Sequence, residues 1–147
     1  MEEVSKQVLA ELGVYSEVIR QVFDGRDLTT LRTRQLRFER CSFVGADLRH
    51  AMLDGCFFKM CDLREANLRG ASLRGVRLAG CGLQGADLRD ADLTDAQLGL
   101  VNTGVHPYGQ SDVTGADLTG ATITGLRADQ VIGWPPHPAG PAGRKRR

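Results

Sequence analysis

Residues 66–75 read Ala66-Asn67-Leu68-Arg69-Gly70-Ala71-Ser72-Leu73-Arg74-Gly75, which is one five-residue pattern written twice. Each copy begins with a small residue, carries a large apolar residue at its third position and ends in glycine. We call the third residue the central residue. The pattern continues in both directions, so that a central apolar residue recurs at nearly every fifth position from Leu28 to Ile123. This spacing decides the fold.

A period of five fits neither an amphipathic helix, which has about 3.6 residues per turn, nor a long strand, in which alternate residues share a face. Within each five, the two apolar positions are separated by one polar residue, as in a short strand. Glycine then recurs two residues after the central residue, where it permits a turn. The pattern therefore predicts a solenoid that bends inward every five residues and buries its apolar side by stacking one unit on the next.

The repeats also resemble a known family. Residues 66–70, Ala46-Asp47-Leu48-Arg49, Ala86-Asp87-Leu88-Arg89-Asp90 and Ala116-Asp117-Leu118-Thr119-Gly120 look like units of the pentapeptide-repeat family. The resemblance covers about residues 26 to 125. It implies an all-β solenoid, a right-handed quadrilateral β-helix with four pentapeptides per coil, in which residues twenty apart stack in one column. About five coils, with strands about 4.8 Å apart, would form a rod roughly 24 Å long.

The segments outside the repeats are expected to cover the ends of the rod. Residues 3 to 23 carry apolar residues three and four positions apart, which predicts a helix, with a partner-binding or dimer-forming helix as the alternative to a cap. Residues 128–134 suggest a short helical turn that places Trp134 on the last coil. The expected parts are an N-terminal helical cap (1–24), the β-helix (25–126), a short C-terminal cap (127–134) and a disordered basic tail (135–147).

Between residues 99 and 112 the pattern weakens, although the count of five is kept. His106 stands where a small inward residue belongs, and an imidazole fits such an interior poorly. The segment is therefore either a distorted coil or a loop that leaves one face of the rod. Because irregular loops on rigid scaffolds often bind partners, His106, Tyr108 and Gln110 are candidate contact residues, with an insertion without function as the simpler interpretation.

The residues that could carry chemistry are poorly placed for it. Four cysteines occupy the inward position where alanine is the usual alternative: Cys41, Cys56, Cys61 and Cys81. Stacked side chains point in parallel about 4.8 Å apart, so neither disulfides nor a tetrahedral metal shell is expected. None of the three histidines is placed near a residue that it could activate. We therefore predict no enzyme activity, no metal and no cofactor.

Any binding of a partner is expected to use the side chains on the outer faces of the rod. Arg49, Arg69 and Arg89 are twenty residues apart and are expected to form one outer column. The formal net charge is +1, but residues 25–77 hold eleven basic and six acidic side chains, whereas residues 78–125 hold one and six. The rod is thus expected to be positive in one half and negative in the other. The acidic candidates of the second half are Asp87, Asp90, Asp92, Asp95, Asp112 and Asp117.

Two functions compete on this evidence. The first is a non-enzymatic binding module or scaffold whose outer faces contact a protein partner of unknown identity, with a homodimer as one form. The second follows from residues 26–33 and 38–43, which resemble the opening of the family branch that imitates duplex DNA, binds DNA gyrase and gives quinolone resistance. Full imitation of DNA over about 24 Å would need on the order of fourteen net charges. The charge therefore favours the first function.

The partner classes can be narrowed further. The sequence has no run of eighteen apolar residues and no pattern of a secretory signal, so a cytoplasmic protein without a membrane segment is expected. Direct nucleic-acid binding is not expected, because no aromatic residues are interleaved with the arginines to stack on bases, and Phe38, Phe43 and Phe58 point inward by register.

Overall fold

The computed structural model describes residues 4–104 and 109–136. Its first five strands lie on consecutive coils of a β-solenoid, and each of the first four pairs in parallel with the strand twenty residues further on. The strands are β1 (Glu17–Ile19), β2 (Arg37–Glu39), β3 (Phe57–Lys59), β4 (Arg77–Ala79), β5 (Gln97–Val101), β6 (Gly109–Gln110) and β7 (Arg127–Ala128). The solenoid is the right-handed, four-sided β-helix that the family resemblance implies.

The four sides differ in how successive coils are joined. We call the part of each coil that lies on one side a rung of that side. Face one, formed by β1 to β5 and β7, has six parallel rungs in the described ranges, so the chain completes five circuits. Faces two, three and four follow along the chain and are joined by single parallel bridges that begin at Val22, Asp27 and Arg32, respectively. Each outer residue is thereby held directly above the one in the preceding coil.

The central residues fill the interior. In the first coils Phe23 stacks on Phe43 and Phe38 stacks on Phe58, with ring centroids 4.9 Å apart in both pairs. Leucines take over above them, and every central leucine from Leu48 to Leu98 is buried. The space that remains is an apolar channel of about 20 Å³, room for about one water molecule and without polar partners for it. The interior is a packed core.

The N-terminal helix is shorter than the sequence predicted. The helix α1 is confined to Lys6–Glu11, and residues 17–19 form β1 instead of continuing a helix to residue 23. Its buried residue is Leu9, which covers the first coil. The residues of the predicted helical face that are exposed are Val8, Tyr15, Ile19 and Val22. The prediction was wrong here because Val18 and Phe23 already follow the five-residue register, and pairing of β1 with β2 outweighs a weak helical period.

The described ends of the irregular segment form an antiparallel hairpin, so the segment is an insertion between coils and not a distorted coil. The end of β5 pairs antiparallel with β6, Leu100 with Gln110 and Val101 with Gly109. Beyond it the spacing of stacked residues rises from twenty to thirty, as between Leu98 and Ala128. The hairpin thus adds ten residues, the length of two repeats, which is why the count of five was kept. His106 and Tyr108 lie outside the described residues.

The C-terminal segment continues the solenoid. Residues 127–128 form β7, and Ile132 bridges to Asp112, so the helical turn suggested for 128–134 does not form. Trp134 is half-buried and packs against the core at the end of the channel. The predicted basic tail lies outside the described residues from position 137 onward. No helix in the described part of the chain is long and apolar enough to cross a bilayer.

Candidate interaction surfaces

The cysteines are part of the core, where they also donate hydrogen bonds. Cys41, Cys61 and Cys81 stack on successive coils, and their Sγ atoms donate to the carbonyl oxygens of face-one central residues in the preceding coil at 3.2, 3.5 and 3.2 Å. Ser111 continues this column, and its Oγ donates to the Leu78 carbonyl oxygen at 3.0 Å. The position therefore selects a small side chain that can donate a hydrogen bond. The sequence analysis treated alanine as the equivalent of these cysteines because it considered only side-chain size. The serine at position 111 was the signal that this column also needs a hydrogen-bond donor.

These thiols have no catalytic character. All four cysteines are free and buried. The neighbouring Cys61 thiol and burial together raise the pKa of Cys41 far above its ordinary value, and burial raises the pKa of Cys56. A protonated, buried thiol is neither a nucleophile nor a metal ligand. No group of three or more potential ligands that could hold a metal ion occurs within residues 4–104 and 109–136.

Face three carries the arginine column. Arg49 binds the Asp47 carboxylate through Nε and Nη2 at 2.8 and 2.7 Å, and Arg89 binds Asp87 in the same way at 2.9 and 2.7 Å. These hydrogen bonds hold the pKa values of Asp47 and Asp87 below the ordinary value of a carboxyl group. Two of the three arginines are therefore neutralised within their own coil.

Arg69, the middle arginine, differs because an amide replaces the carboxylate. Asn67 Oδ1 accepts a hydrogen bond from the Arg69 backbone N–H at 3.1 Å. Among the described residues, the Arg69 guanidinium has a single ion pair, which is long, 3.6 Å from Nε to Asp90 Oδ2. A shallow groove of about 400 Å³ runs in front of it. The groove is lined by Arg49, His50, Asn67, Arg69, Gly70, Arg89 and Asp90.

The acidic candidates do not share one face. Asp87 lies on face three beside its arginine, and Asp92 lies on face four, where it binds Thr94 and accepts a hydrogen bond from Arg74 at 3.0 Å. Asp90 and Asp95 occupy corners between faces, both with φ of +60°. The negative charge of the second half is thus spread around the rod and partly neutralised by arginine.

Gln110, the described member of the hairpin candidates, anchors the hairpin to the last coil. Its Nε2 donates to the Gln130 carbonyl oxygen at 2.8 Å, and the residue is half-buried. The hairpin also folds back over a corner of the rod, where Gly80 faces Met60, Val101 and the Gly109 carbonyl.

Face one carries a ladder that the sequence analysis missed. The residues before the central residues form it, one per rung: Glu17, Arg37, Phe57, Arg77, Gln97 and Arg127. The Phe57 ring lies between two guanidinium groups, with Cζ of Arg37 at 5.6 Å and Cζ of Arg77 at 4.4 Å from the ring centroid. Only central phenylalanines were considered at first. The outward position of Phe57, directly before Phe58, was the available signal.

Comparison with known proteins agrees with this geometry. Residues 33–105 match the protein family described as the pentapeptide repeat region. A pentapeptide repeat protein (Rfr23) from the cyanobacterium Cyanothece 51142 is 19% identical, with 82% of this chain and 86% of that chain covered and a TM-score of 0.61. No curated protein matches the chain.

Two other solved structures have lower TM-scores. HetL, a pentapeptide repeat protein involved in heterocyst differentiation regulation from the cyanobacterium Nostoc sp. strain PCC 7120, is 24% identical over 79% of this chain and 63% of its own, with a TM-score of 0.39. QnrB1, a plasmid-mediated fluoroquinolone resistance protein, is 16% identical over 78% and 94%, with a TM-score of 0.40. The likeness to Rfr23 shows the same fold, and the match to the repeat family over residues 33–105 identifies the chain as a member of the pentapeptide-repeat family.

Proposed function

We propose that this pentapeptide-repeat protein is a non-enzymatic binding module that holds a protein partner against its outer faces. One observation carries the proposal: the interior is closed and apolar, whereas charged side chains stand outside at the fixed spacing of the coils. Such a surface is rigid before binding, so little conformational entropy is lost when a partner docks.

The titratable groups support a binding role. The carboxylates whose pKa values shift are shifted downward, by hydrogen bonds from arginine, threonine and backbone N–H groups, as at Asp87 and Asp117. A general acid would need the opposite shift. The shifted thiols are buried with raised pKa values, as at Cys56. Neither class of group supplies a proton donor at the surface, and the buried thiols supply no nucleophile there.

Face three supplies the first candidate contacts. Arg69 is half-exposed and only loosely paired, so it can bind a carboxylate of a partner, while Arg49 and Arg89 are held in place on either side by their aspartates. An exposed bidentate arginine is a frequent anchor of protein interfaces. We therefore assign Arg69 the central contact on this face.

The test compares partner binding by face variants. The chain is used to capture partners, a captured partner is purified, and its affinity is measured for the wild type, Arg69→Glu and the control Arg34→Glu on face four. We expect Arg69→Glu to weaken binding at least tenfold and Arg34→Glu to leave it within twofold. If charge reversal on each of the four faces in turn leaves the affinity unchanged, or if the folded wild type captures no partner, the proposal fails.

Modulation of DNA gyrase is the alternative. The acidic second half favours it, but Asp87 and Asp92 are paired with arginines and the remaining carboxylates lie on different sides. No continuous run of charge comparable to one phosphate per roughly 1.7 Å results. A supercoiling assay with and without a quinolone decides the matter. Inhibition or protection at micromolar protein would support this alternative, and no effect at high excess would remove it.

A further inference from the structure

We propose that face one binds an extended acidic segment of a partner protein in a groove between Arg77 and Arg127. This inference rests on the proposed binding function and adds a surface and the chemistry of its ligand. It is distinct from the Arg69 groove, which lies on face three.

The groove is shaped by small residues. It has a volume of about 360 Å³ and lies where Ala79 and Gly99 keep the outer wall low on two successive rungs. No atom lies within 4 Å of the position that a Cβ at Gly99 would take, so the space above the strand is open. Leu100, where the hairpin begins, also lines it. The groove contains one carboxylate, that of Asp129.

The cations of this groove are available. Arg77 and Arg127 form no ion pair with any residue of the described ranges, in contrast to Arg49 and Arg89 on face three. The order of residues explains the contrast. On face three the aspartate precedes the central residue and its side chain accepts from the backbone N–H two positions later, which directs it toward the arginine there. On face one the arginine takes the earlier position, and Ala79 follows Arg77 where a partner would stand. Asp129 holds that position after Arg127, but no ion pair joins the two within the described ranges.

One of the two cations is also held in place. The Arg77 guanidinium lies 4.4 Å from the Phe57 ring centroid, a cation–π contact that limits its rotamers. An arginine fixed before binding loses less side-chain entropy when it pairs with a carboxylate. Arg127 stands two rungs from Arg77, with Gln97 between them.

The spacing fits a peptide. Two rungs correspond to about 10 Å. A polyproline II peptide has three residues per turn and rises about 3.1 Å per residue, so acidic residues three positions apart lie on one side about 9 Å apart. The Gln97 amide between the arginines can both donate to and accept from the peptide backbone. Nucleic acid fits less well, because Phe57 is flanked by Arg37 and Arg77 and offers no open face to a base.

The experiment is a fluorescence anisotropy titration at low salt with a labelled peptide of four Glu-Pro-Pro units. The same peptide with glutamine in place of glutamate and a single-stranded DNA of twelve nucleotides serve as comparison probes. The test variant is Arg77→Gln with Arg127→Gln. Its matched control is Arg32→Gln with Arg34→Gln, which removes two arginines of face four that form no ion pair within the described residues. Thermal midpoints confirm that all variants are folded.

We expect the wild type and the face-four control to bind the glutamate peptide alike, and the face-one variant to bind at least tenfold more weakly. Gly99→Leu, which fills the groove without changing charge, should weaken binding in the same way. The inference is overturned if the wild type does not bind the glutamate peptide, if the two double variants lose affinity equally, or if the DNA binds more tightly than the peptide. The proposed function is judged separately by partner capture and Arg69→Glu, so either can fail alone.

Discussion

At the scale of the residue, the corners of the solenoid impose a backbone conformation on whatever side chain stands there. Glycine at the fifth position of the repeat was read from the sequence as a turn, and Gly45 has φ of +66°. Glu65 and Met60 take the same left-handed conformation without being glycine. The sequence could not show this, because the conformation there is forced by stacking on the neighbouring coils and not by local preference. Such residues cost roughly 1–2 kcal/mol each, which the stacking offsets.

A glycine substitution measures this cost. Gly45→Ala should lower the free energy of unfolding by about 1 kcal/mol, because the Cβ meets no atom within 4 Å and only the left-handed backbone is penalised. Gly99→Ala is the control, since its site is equally open but its φ lies outside the left-handed region. Urea denaturation of both variants gives the two values. Equal losses of unfolding free energy in the two variants would show that the left-handed corner conformation is not the reason for glycine at position 45.

The ion pairs of face three predict a pH dependence. Arg49 and Arg89 lower the pKa values of Asp47 and Asp87 in the folded state, so the pairs stabilise the fold above the ordinary carboxyl value of 3.8. Their contribution is lost as the pH falls through the lowered pKa values. The free energy of unfolding should therefore decrease below about pH 4.

Asp87→Asn isolates one pair. Asparagine keeps the acceptor for the backbone N–H, as Asn67 does for Arg69, but cannot lose a charge. We expect this variant to be less stable than the wild type at pH 7 and to lose less stability on acidification, measured by urea denaturation from pH 7 to pH 2. Asp95→Asn is the control, because the Asp95 side chain forms no hydrogen bond or ion pair with the described residues, and the backbone hydrogen bond of Asp95 to Thr124 does not depend on the carboxylate. An identical pH profile for Asp87→Asn and the wild type would contradict this assignment.

At the scale of the element, periodicity located the solenoid but could not settle its interruptions. The sequence analysis could not decide between a loop and a distorted coil at residues 99–112. The hairpin adds ten residues, the length of two repeats, so the five-residue register is the same before and after it. The N-terminal helix was predicted too long for a related reason. Ile19 and Val22 follow the helical period, whereas their neighbours Val18 and Phe23 follow the five-residue register, and only pairing with the next coil decides between the two patterns.

Deletion of residues 101–110 tests the hairpin. The deletion joins Leu100 to Ser111 and restores a spacing of twenty, so that Ser111 still stacks on Cys81. We expect a folded protein whose thermal midpoint lies within a few degrees of the wild type, because the loop contributes few core contacts. Deletion of residues 101–108, which breaks the register by two, is the control and should prevent stacking of the last coils. Similar midpoints for the two deletions would contradict the assigned register.

At the scale of the whole molecule, inward residues stabilise the fold and outward residues are available for binding a partner. A repeat sustained over some twenty units made the fold and the inward residues predictable. The recognition surface was less so, because it depends on which charges are left unpaired after folding. Face three was chosen for its arginines, two of which are neutralised within the coil. The groove of face one could not be predicted from the sequence, because it is formed by residues of different coils that come together only in the folded chain.

The most direct test of this division between inward and outward residues is a urea denaturation series on three neighbouring pairs of face three, each residue changed singly to alanine. The pairs are Leu48 and Arg49, Leu68 and Arg69, and Leu88 and Arg89. The leucines are buried, so each of these variants should lose about 2–5 kcal/mol of unfolding free energy. Each arginine variant should lose only a small fraction of its neighbour's value, with Arg69→Ala the smallest, because Arg69 is half-exposed and loosely paired. Losses at the arginines that equal those at the leucines would show that the outer wall is needed to hold the fold together, and the claim that it is free for recognition would be wrong.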